Sequence, residues 1–159
     1  MSENTLSLYF FCSIVVMKIR TGTFAEVFAL HNRIPELEPI AKVGYFSDRI
    51  GNRQYLLLVA EIADAVVGYK LGYWLDNQCF YSWLGGVHPS YRKQGIAKAL
   101  MLEQERRIGS TSAKEIRVKS MNQYRAMLLL LISQGYDIVG VELNVHGRKK
   151  IHFSKKFNE

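Results

Sequence analysis

Residues 81–100 read YSWLGGVHPSYRKQGIAKAL, a stretch that combines a strand, a turn rich in cations and the start of a helix. The strand is predicted over Cys79 to Val87. It ends there because Pro89 has no N–H group to donate to a sheet. Gly95 then begins a helix that is predicted to continue to Ile108 and to bury its apolar face.

The turn and the helix start form a candidate anion site. The first amides of a helix have no partner within the helix and lie at the positive end of its dipole, which suits a pyrophosphate. Gly95 and Ala97 let phosphates approach the backbone, while Arg92, Lys93 and Lys98 supply positive charge. A solvated helix end without a ligand is the alternative interpretation.

Other motifs for phosphate binding and hydrolysis are missing. The chain contains neither G-x-x-x-x-G-K-[ST] nor G-x-G-x-x-G, so P-loop and dinucleotide folds gain no support. H-E-x-x-H and G-x-S-x-G are missing as well, which disfavours zinc proteases and serine hydrolases. Cys12 and Cys79 lack companion histidines at zinc spacing, so we predict no metal site and a reducing, cytoplasmic location.

The remaining sequence predicts alternating strands and helices in one domain that spans residues 1–159. Predicted strands cover residues 15–20, 55–61, 66–74, 79–87, 115–120, 136–143 and 149–157, and predicted helices cover 24–32, the region near 40–46, 95–108 and 123–134. This order places an antiparallel part before a strand–helix–strand crossover, which is an α+β (mixed α/β) class.

The N-terminal residues allow two interpretations. Leu6 to Met17 is apolar, but no basic residue precedes it and no cleavage site follows, so a strand is favoured over a signal peptide. Because Met17 begins the first predicted strand of the domain, residues 1–16 could instead be an N-terminal extension. No run of about 18 apolar residues occurs, which excludes a membrane span.

The positive charge is concentrated in the second half of the chain. Residues 81–159 carry 14 basic and 6 acidic side chains, whereas residues 1–80 carry 7 and 8. We therefore expect an anionic partner to bind the C-terminal half. Nucleic acid is disfavoured, since Phe153 and Phe157 near the last lysines are predicted to face inward rather than to stack on bases.

Residues 92–97, Arg-Lys-Gln-Gly-Ile-Ala, resemble the Q/R-x-x-G-x-G/A motif of the GNAT superfamily of N-acetyltransferases, and Val87-x-Pro89 precedes them as in that family. The element order from Val15 to Phe157 is similar too. The resemblance implies a central mixed, mostly antiparallel sheet of about seven strands flanked by about four helices. It also implies acetyl-CoA or another acyl-CoA as donor, an amine as acceptor and no metal.

The resemblance assigns the donor site. The pyrophosphate would lie on the amides of residues 93–98, and the pantetheine arm would run between the splayed strands at 79–87 and 115–120. Gly85-Gly86 would form a bulge that frees backbone groups for the pantetheine. The implied donor-binding residues are Gly85, Gly86, Val87, Arg92, Lys93, Gln94, Gly95, Ile96, Ala97, Lys98 and Asn122.

The catalytic residues are less well defined. The backbone N–H of Val87 is the candidate for the oxyanion contact, and Glu61 and Tyr81 are candidates for the base. The family tyrosine that protonates the leaving thiolate is replaced by Leu131, so Tyr124 is the remaining candidate acid. This departure keeps open a second hypothesis, a non-catalytic acyl-CoA-binding or regulatory module.

The acceptor is not defined by the sequence. In this architecture the first helices and the predicted hairpin at 136–157 would form its site, and a homodimer is a further possibility. The proposed walls are Phe28, His31, Tyr45, Phe46, Tyr73, Tyr81 and Trp83, with Glu36, Glu38 and Asp48 near an entrance.

Overall fold

The computed structural model describes residues 16–157, which form one seven-stranded sheet with helices on both faces. The strands are β1 (Met17–Thr21), β2 (Tyr55–Ile62), β3 (Ala65–Trp74), β4 (Cys79–Val87), β5 (Glu115–Met121), β6 (Asp137–Leu143) and β7 (Lys149–Lys156). The helices are α1 (Phe24–His31), α2 (Gly44–Ile50), α3 (Ile96–Gly109) and α4 (Arg125–Ser133).

The strand order is β1-β2-β3-β4-β5-β7-β6, and every neighbouring pair is antiparallel except β4 and β5. The parallel pair follows from the connection through α3, because parallel neighbours need a crossover. The predicted α+β class and mostly antiparallel sheet are therefore confirmed.

The two faces of the sheet are covered by different helices. On the front face, α1 and α2 pack through Val27 and Phe46 against Tyr69 of β3. On the back face, α3 and α4 pack through Met101 and Leu131. The strands alternate between the two cores, as expected for a sheet that is covered on both sides.

Local capping explains where α1 begins. Thr23 accepts a hydrogen bond from the Glu26 backbone, and the Glu26 carboxylate accepts one from the Thr23 backbone at 2.9 Å. This is a capping box, so the predicted start is correct.

Two helix predictions were displaced. The second helix begins at Gly44 instead of Ile40, because the Asn32 side chain holds the Ile40 backbone through both its N–H and its carbonyl oxygen. Helix α4 begins at Arg125, so Asn122 lies in the turn before it.

The predictions for residues 1–15, including Cys12 and the alternatives of strand and extension, lie outside the described residues.

Candidate functional site

Strands β4 and β5 separate after four residue pairs. Their parallel pairing runs from Cys79 with Glu115 to Ser82 with Val118 and then stops, although both strands continue. We call the space between residues 83–87 of β4 and 119–121 of β5 the strand gap, and we call Ser82 its apex. Unpaired strand backbone at the centre of a sheet is available to bind an extended ligand.

The gap opens at a β-bulge centred on Trp83. Leu84 pairs with Leu71 of β3 and Ser82 pairs with Gly72, which leaves Trp83 as the extra residue. The predicted bulge at Gly85-Gly86 was therefore misplaced. Gly86 is required by packing instead, because a Cβ there would lie 2.6 Å from Ile34 Cδ1.

The backbone of β4 presents hydrogen-bonding groups to the gap. The His88 N–H donates to the Val67 carbonyl of β3 at 2.8 Å. Since backbone direction alternates along a strand, Gly86 also faces β3, whereas Gly85 and Val87 direct their N–H and carbonyl groups towards the gap. Gly85 lies near the apex, and Val87 lies at the mouth.

The mouth of the gap meets the start of α3. Lys93 and Gly95 both adopt left-handed backbone conformations, with φ of 60° and 79°, and Gly95 occupies the N-cap position. A Cβ on Gly95 would meet no atom within 4 Å, so open space lies beside the first amides of the helix. A left-handed lysine is uncommon and typical of loops shaped for a ligand. The predicted pyrophosphate residues, 92–98, thus lie together at the mouth.

The segment between α1 and α2 is tied to this loop. Arg92 donates two hydrogen bonds to the Glu36 carboxylate, at 2.5 and 2.7 Å, and this contact lowers the pKa of Glu36 to about 2. The hydroxyl of Tyr124 donates to the Glu36 carbonyl at 3.2 Å. Arg148, in the β6–β7 turn, lies 3.5 Å from the Glu38 carboxylate. One segment therefore contacts three neighbouring loops.

The part of the chain that forms this geometry matches a known protein family. The acetyltransferase (GNAT) domain matches residues 53–137, more than half of the chain, and these residues include the strand gap and the start of α3. The chain belongs to the GNAT acetyltransferase family. The predicted family and the predicted enzyme class, acetyltransferase, are confirmed.

Individual proteins agree with this membership of the GNAT family. Acetyltransferase SG1711 from Sodalis glossinidius is 29% identical over 120 residues, which cover 75% of this chain and 84% of the relative. The ribosomal-protein-S18-alanine N-acetyltransferase of Escherichia coli has the same fold, with a TM-score of 0.78, 14% identity, and coverage of 91% of this chain and 96% of that one. A GNAT family acetyltransferase from Elizabethkingia anophelis, with acetyl-CoA bound, gives a TM-score of 0.72 at 14% identity and covers 88% and 97%.

The predicted catalytic residues of this GNAT domain do not lie together. Glu61 pairs with Val66 of β3, and Tyr81 pairs with Tyr73 near the other end of that strand. At about 3.3 Å per residue, the two candidate bases are roughly 20 Å apart. Glu61 instead accepts a hydrogen bond from Arg20 at 2.9 Å, so its carboxylate is bound away from the gap.

Tyr81 lies next to the apex, on the front face. Its ring packs edge-on against Tyr73 with centroids 5.5 Å apart, and burial raises the pKa of its phenol to about 12. The phenol is therefore protonated at neutral pH and is not a phenolate base. Tyr124 is bound to the Glu36 carbonyl, and Asn122 is exposed.

Three of the seven predicted acceptor walls are buried in the core, and Phe28 packs against this core while partly buried. Phe46 and Tyr73 are buried, and His31 is held between the Tyr69 hydroxyl, at 2.6 Å, and the Glu38 carbonyl, at 2.9 Å. Burial lowers the pKa of His31. Tyr45, Tyr81 and Trp83 remain partly accessible.

An open cavity of about 500 Å³ lies on the front face beside the apex, and we call it the front groove. Its walls are mainly basic and aromatic, although the Glu115 side chain also lines it. They include Arg49, Tyr73, Tyr81, Arg117, Lys119 and His152. Arg117 and Lys119 are paired with Glu115 and Glu142, whereas among the described residues no carboxylate lies within 4.0 Å of the Arg49 guanidinium.

Lys70 is a polar residue near the gap that the sequence reasoning missed. It is 7% exposed, and it lies on the back face of β3 opposite Gly85. A single lysine in the apolar strand AVVGYKLGYW was the signal that could have identified it.

Within residues 16–157, no three His, Cys, Asp or Glu side chains form a group able to hold a metal ion. No helix in this part of the chain is long and apolar enough to cross a membrane.

Proposed function

We propose that this protein transfers an acetyl group from acetyl-CoA to a primary amine of a small molecule or protein, by direct attack of the amine on the thioester. The observation that carries this proposal is the strand gap, which opens beside the uncapped start of α3. The strand gap can hold an extended, amide-containing arm, and the start of α3 can hold the pyrophosphate that is attached to it. The bound acetyl-CoA of the Elizabethkingia enzyme is consistent with this use of the fold.

The donor would run from the mouth of the gap to its apex. The pyrophosphate would accept hydrogen bonds from the amides of residues 93–98, near the charges of Arg92, Lys93 and Lys98. The pantetheine amides would pair with the backbone of Val87, which faces the gap. Asn122, in the turn before α4, would contact the donor from the other side.

Gly85 is a better candidate than Val87 for the oxyanion contact. The reacting carbonyl is at the far end of the pantetheine arm, so it would lie near the apex, whereas Val87 is close to the pyrophosphate. The N–H of Gly85 faces the gap close to the apex and would stabilise the oxygen as charge develops on it.

The acceptor would enter through the front groove, since Tyr81 connects this groove to the apex. Its hydroxyl would hold the amine or a water by hydrogen bonding, and the amine proton would leave to solvent. Because Arg49 lacks a carboxylate partner there, we infer that the acceptor carries an anionic group beside its amine. A polyamine would be repelled.

A non-catalytic acyl-CoA-binding module is the second candidate. Leu131 has an aliphatic side chain that cannot protonate the thiolate, and it is fully buried in the core. Such a module would bind acetyl-CoA without releasing CoA.

Two further inferences concern the state of the protein. Cys79 is a free, buried thiol, which supports a reducing, cytoplasmic location for one domain spanning the chain.

Strand β6 lies at the sheet edge and exposes Ile138, Val139, Val141 and Leu143, which supports a homodimer. In sedimentation experiments, Val141→Lys should then convert a wild-type dimer to monomer; a wild-type monomer would contradict the dimer.

The test of the proposed function has two steps. Acetyl-CoA should raise the melting temperature in proportion to its occupancy, and an amine panel should then release free CoA thiol. Stabilisation without thiol release would favour the binding module. No stabilisation at saturating concentrations would contradict both candidates.

A further inference from the structure

The back face of β3 contains an unusual arrangement around Lys70. Gly68 and Gly72 flank it on that face, and added Cβ atoms there would lie 2.8 Å from Ile96 Cγ2 and 2.4 Å from Phe80 Cε1. The neighbouring side chains of α3 and β4 therefore close over both glycines. Lys70 lies between them on this face.

The Lys70 side chain packs against the back face of β4 at Gly85. Its Cγ and Nζ lie 3.8 and 3.9 Å from the position that a Cβ of Gly85 would occupy. Both ends of the side chain are thus close to Gly85, whose N–H faces the gap near the apex. A larger residue at position 85 would separate the ammonium from the gap.

The ammonium lacks a direct anionic partner in the part of the chain that the structure describes. No carboxylate of residues 16–157 lies within 4.0 Å of it, and its partners across the sheet, Leu58 and Gly85, are uncharged. Glu105 of α3 acts on Lys70 only at longer range; its Oε2 is bound to Lys155 at 2.9 Å, and its Oε1 is buried without a hydrogen-bond partner among the described residues. Burial of all but 7% of Lys70 removes much of the water that would stabilise its charge, which is costly and is typical of functional sites.

On the basis of the proposed function, we propose that the Lys70 ammonium protonates the CoA sulfur as it leaves. The amine nitrogen forms a bond to the thioester carbon, and the carbonyl electron pair moves to the oxygen beside the Gly85 N–H. The C–S bond then breaks, and its electron pair on sulfur takes a proton from Lys70 Nζ. The amine proton goes to solvent through the front groove, and neutral Lys70 regains a proton from water.

This assignment replaces the acid that is missing at Leu131. Desolvation lowers the pKa of Lys70 to about 8, partly opposed by Glu105. An acid with a pKa near the working pH is suited to donate a proton during turnover. The lysine is protonated at neutral pH and loses its proton more readily than a solvated lysine.

The first experiment measures kcat against pH with acetyl-CoA and an active amine, for wild type, Lys70→Met and Lys18→Met. The exposed Lys18, on β1, is the charge-matched control. Wild type and Lys18→Met should lose kcat above about pH 8, whereas Lys70→Met should have a kcat at least about tenfold lower, without that decline, at little changed KM for acetyl-CoA. Unchanged kcat and pH profile in Lys70→Met would overturn the proposal.

The second experiment needs no turnover. The thiolate absorbance of bound CoA is titrated, and the thiol pKa should be about one unit lower in wild type than in Lys70→Met or Lys70→Gln, because a nearby cation favours the thiolate. Equal values would overturn the role of Lys70. Stoichiometric acetylation of Lys70 in intact-mass spectra would also overturn it, by making this amine a nucleophile. Failure of wild type to bind CoA would instead contradict the proposed function itself.

Discussion

The strand gap and the front groove meet near Ser82, but they are built from different parts of the chain. The gap is formed by backbone: a bulge at Trp83, the end of a strand pair and the start of a helix. The groove is formed by side chains from α2 and from five strands, which are distant in sequence. The donor side of this protein is therefore built from residues that are close in sequence, whereas the acceptor side is built from residues that only folding brings together.

The largest expected effect follows from the backbone origin of the gap. Gly95→Val places a β-branched residue at a φ of 79° and moves the first amides of α3 away from the pyrophosphate. Loss of about two charge-assisted hydrogen bonds should weaken CoA binding by about 100-fold, measured by calorimetry.

Gly147→Val is the matched control for this substitution. Gly147 has a similar φ of 71° and open space around it, but it lies in the β6–β7 turn. It should show comparable strain and nearly wild-type CoA affinity. Equal losses in both variants would mean that backbone strain, rather than the pyrophosphate site, explains the Gly95 result.

A smaller effect is expected from the side-chain origin of the groove. Arg49→Gln should raise the KM for an amine that carries a carboxylate by about tenfold, the value of one charged hydrogen bond. The same amine with its carboxylate converted to an amide should be affected little. Arg106→Gln, on the exposed back surface, is the control. An equal effect of Arg49→Gln on the acid and the amide would contradict an anionic acceptor.

The two sides also differ in how far the sequence could predict them. The strands, the helix start and the phosphate turn follow from local patterns, because proline, glycine and alternation act over a few residues. The bulge was predicted at Gly85-Gly86 but lies at Trp83. Gly86 is instead required by its packing against Ile34, a contact that the sequence does not reveal. Pairing across the sheet decides such contacts.

The candidate catalytic residues depend on tertiary contacts to a greater extent. Glu61 resembles a free carboxylate in the sequence, yet Arg20 of the neighbouring strand binds it. Lys70 is the single lysine of the otherwise apolar β3, but the sequence does not show that folding places its ammonium next to Gly85. Side-chain chemistry near the apex therefore required the structure.

The smallest effect concerns the contact between the two sides. Glu36 pairs with Arg92 and competes with a pyrophosphate for it, so Glu36→Gln should tighten CoA binding about two- to fivefold. Glu38→Gln, in the same segment but bound to Arg148, should not. Unchanged CoA affinity in Glu36→Gln would contradict this competition, because it would show that breaking the Glu36–Arg92 ion pair takes no measurable free energy from CoA binding.

The same pair predicts a weak pH dependence of stability. The pKa of Glu36 is lowered to about 2 from 4.5, so its contribution is present above about pH 4.5 and is lost as the pH falls towards 2. Because both side chains are about half exposed, this contribution should be below about 1 kcal/mol. Urea unfolding of wild type and Glu36→Gln should therefore converge in acid; a difference that grows in acid would have the wrong sign.

The most direct test of the central claim, that the strand gap and the start of α3 hold the acyl donor, is amide hydrogen exchange with and without acetyl-CoA. Bound acetyl-CoA should slow exchange at Gly85, Val87 and residues 93–98, with little change in β1 and β2. Protection confined to the front groove, or no protection at Gly85 and Val87 at saturating acetyl-CoA, would contradict it.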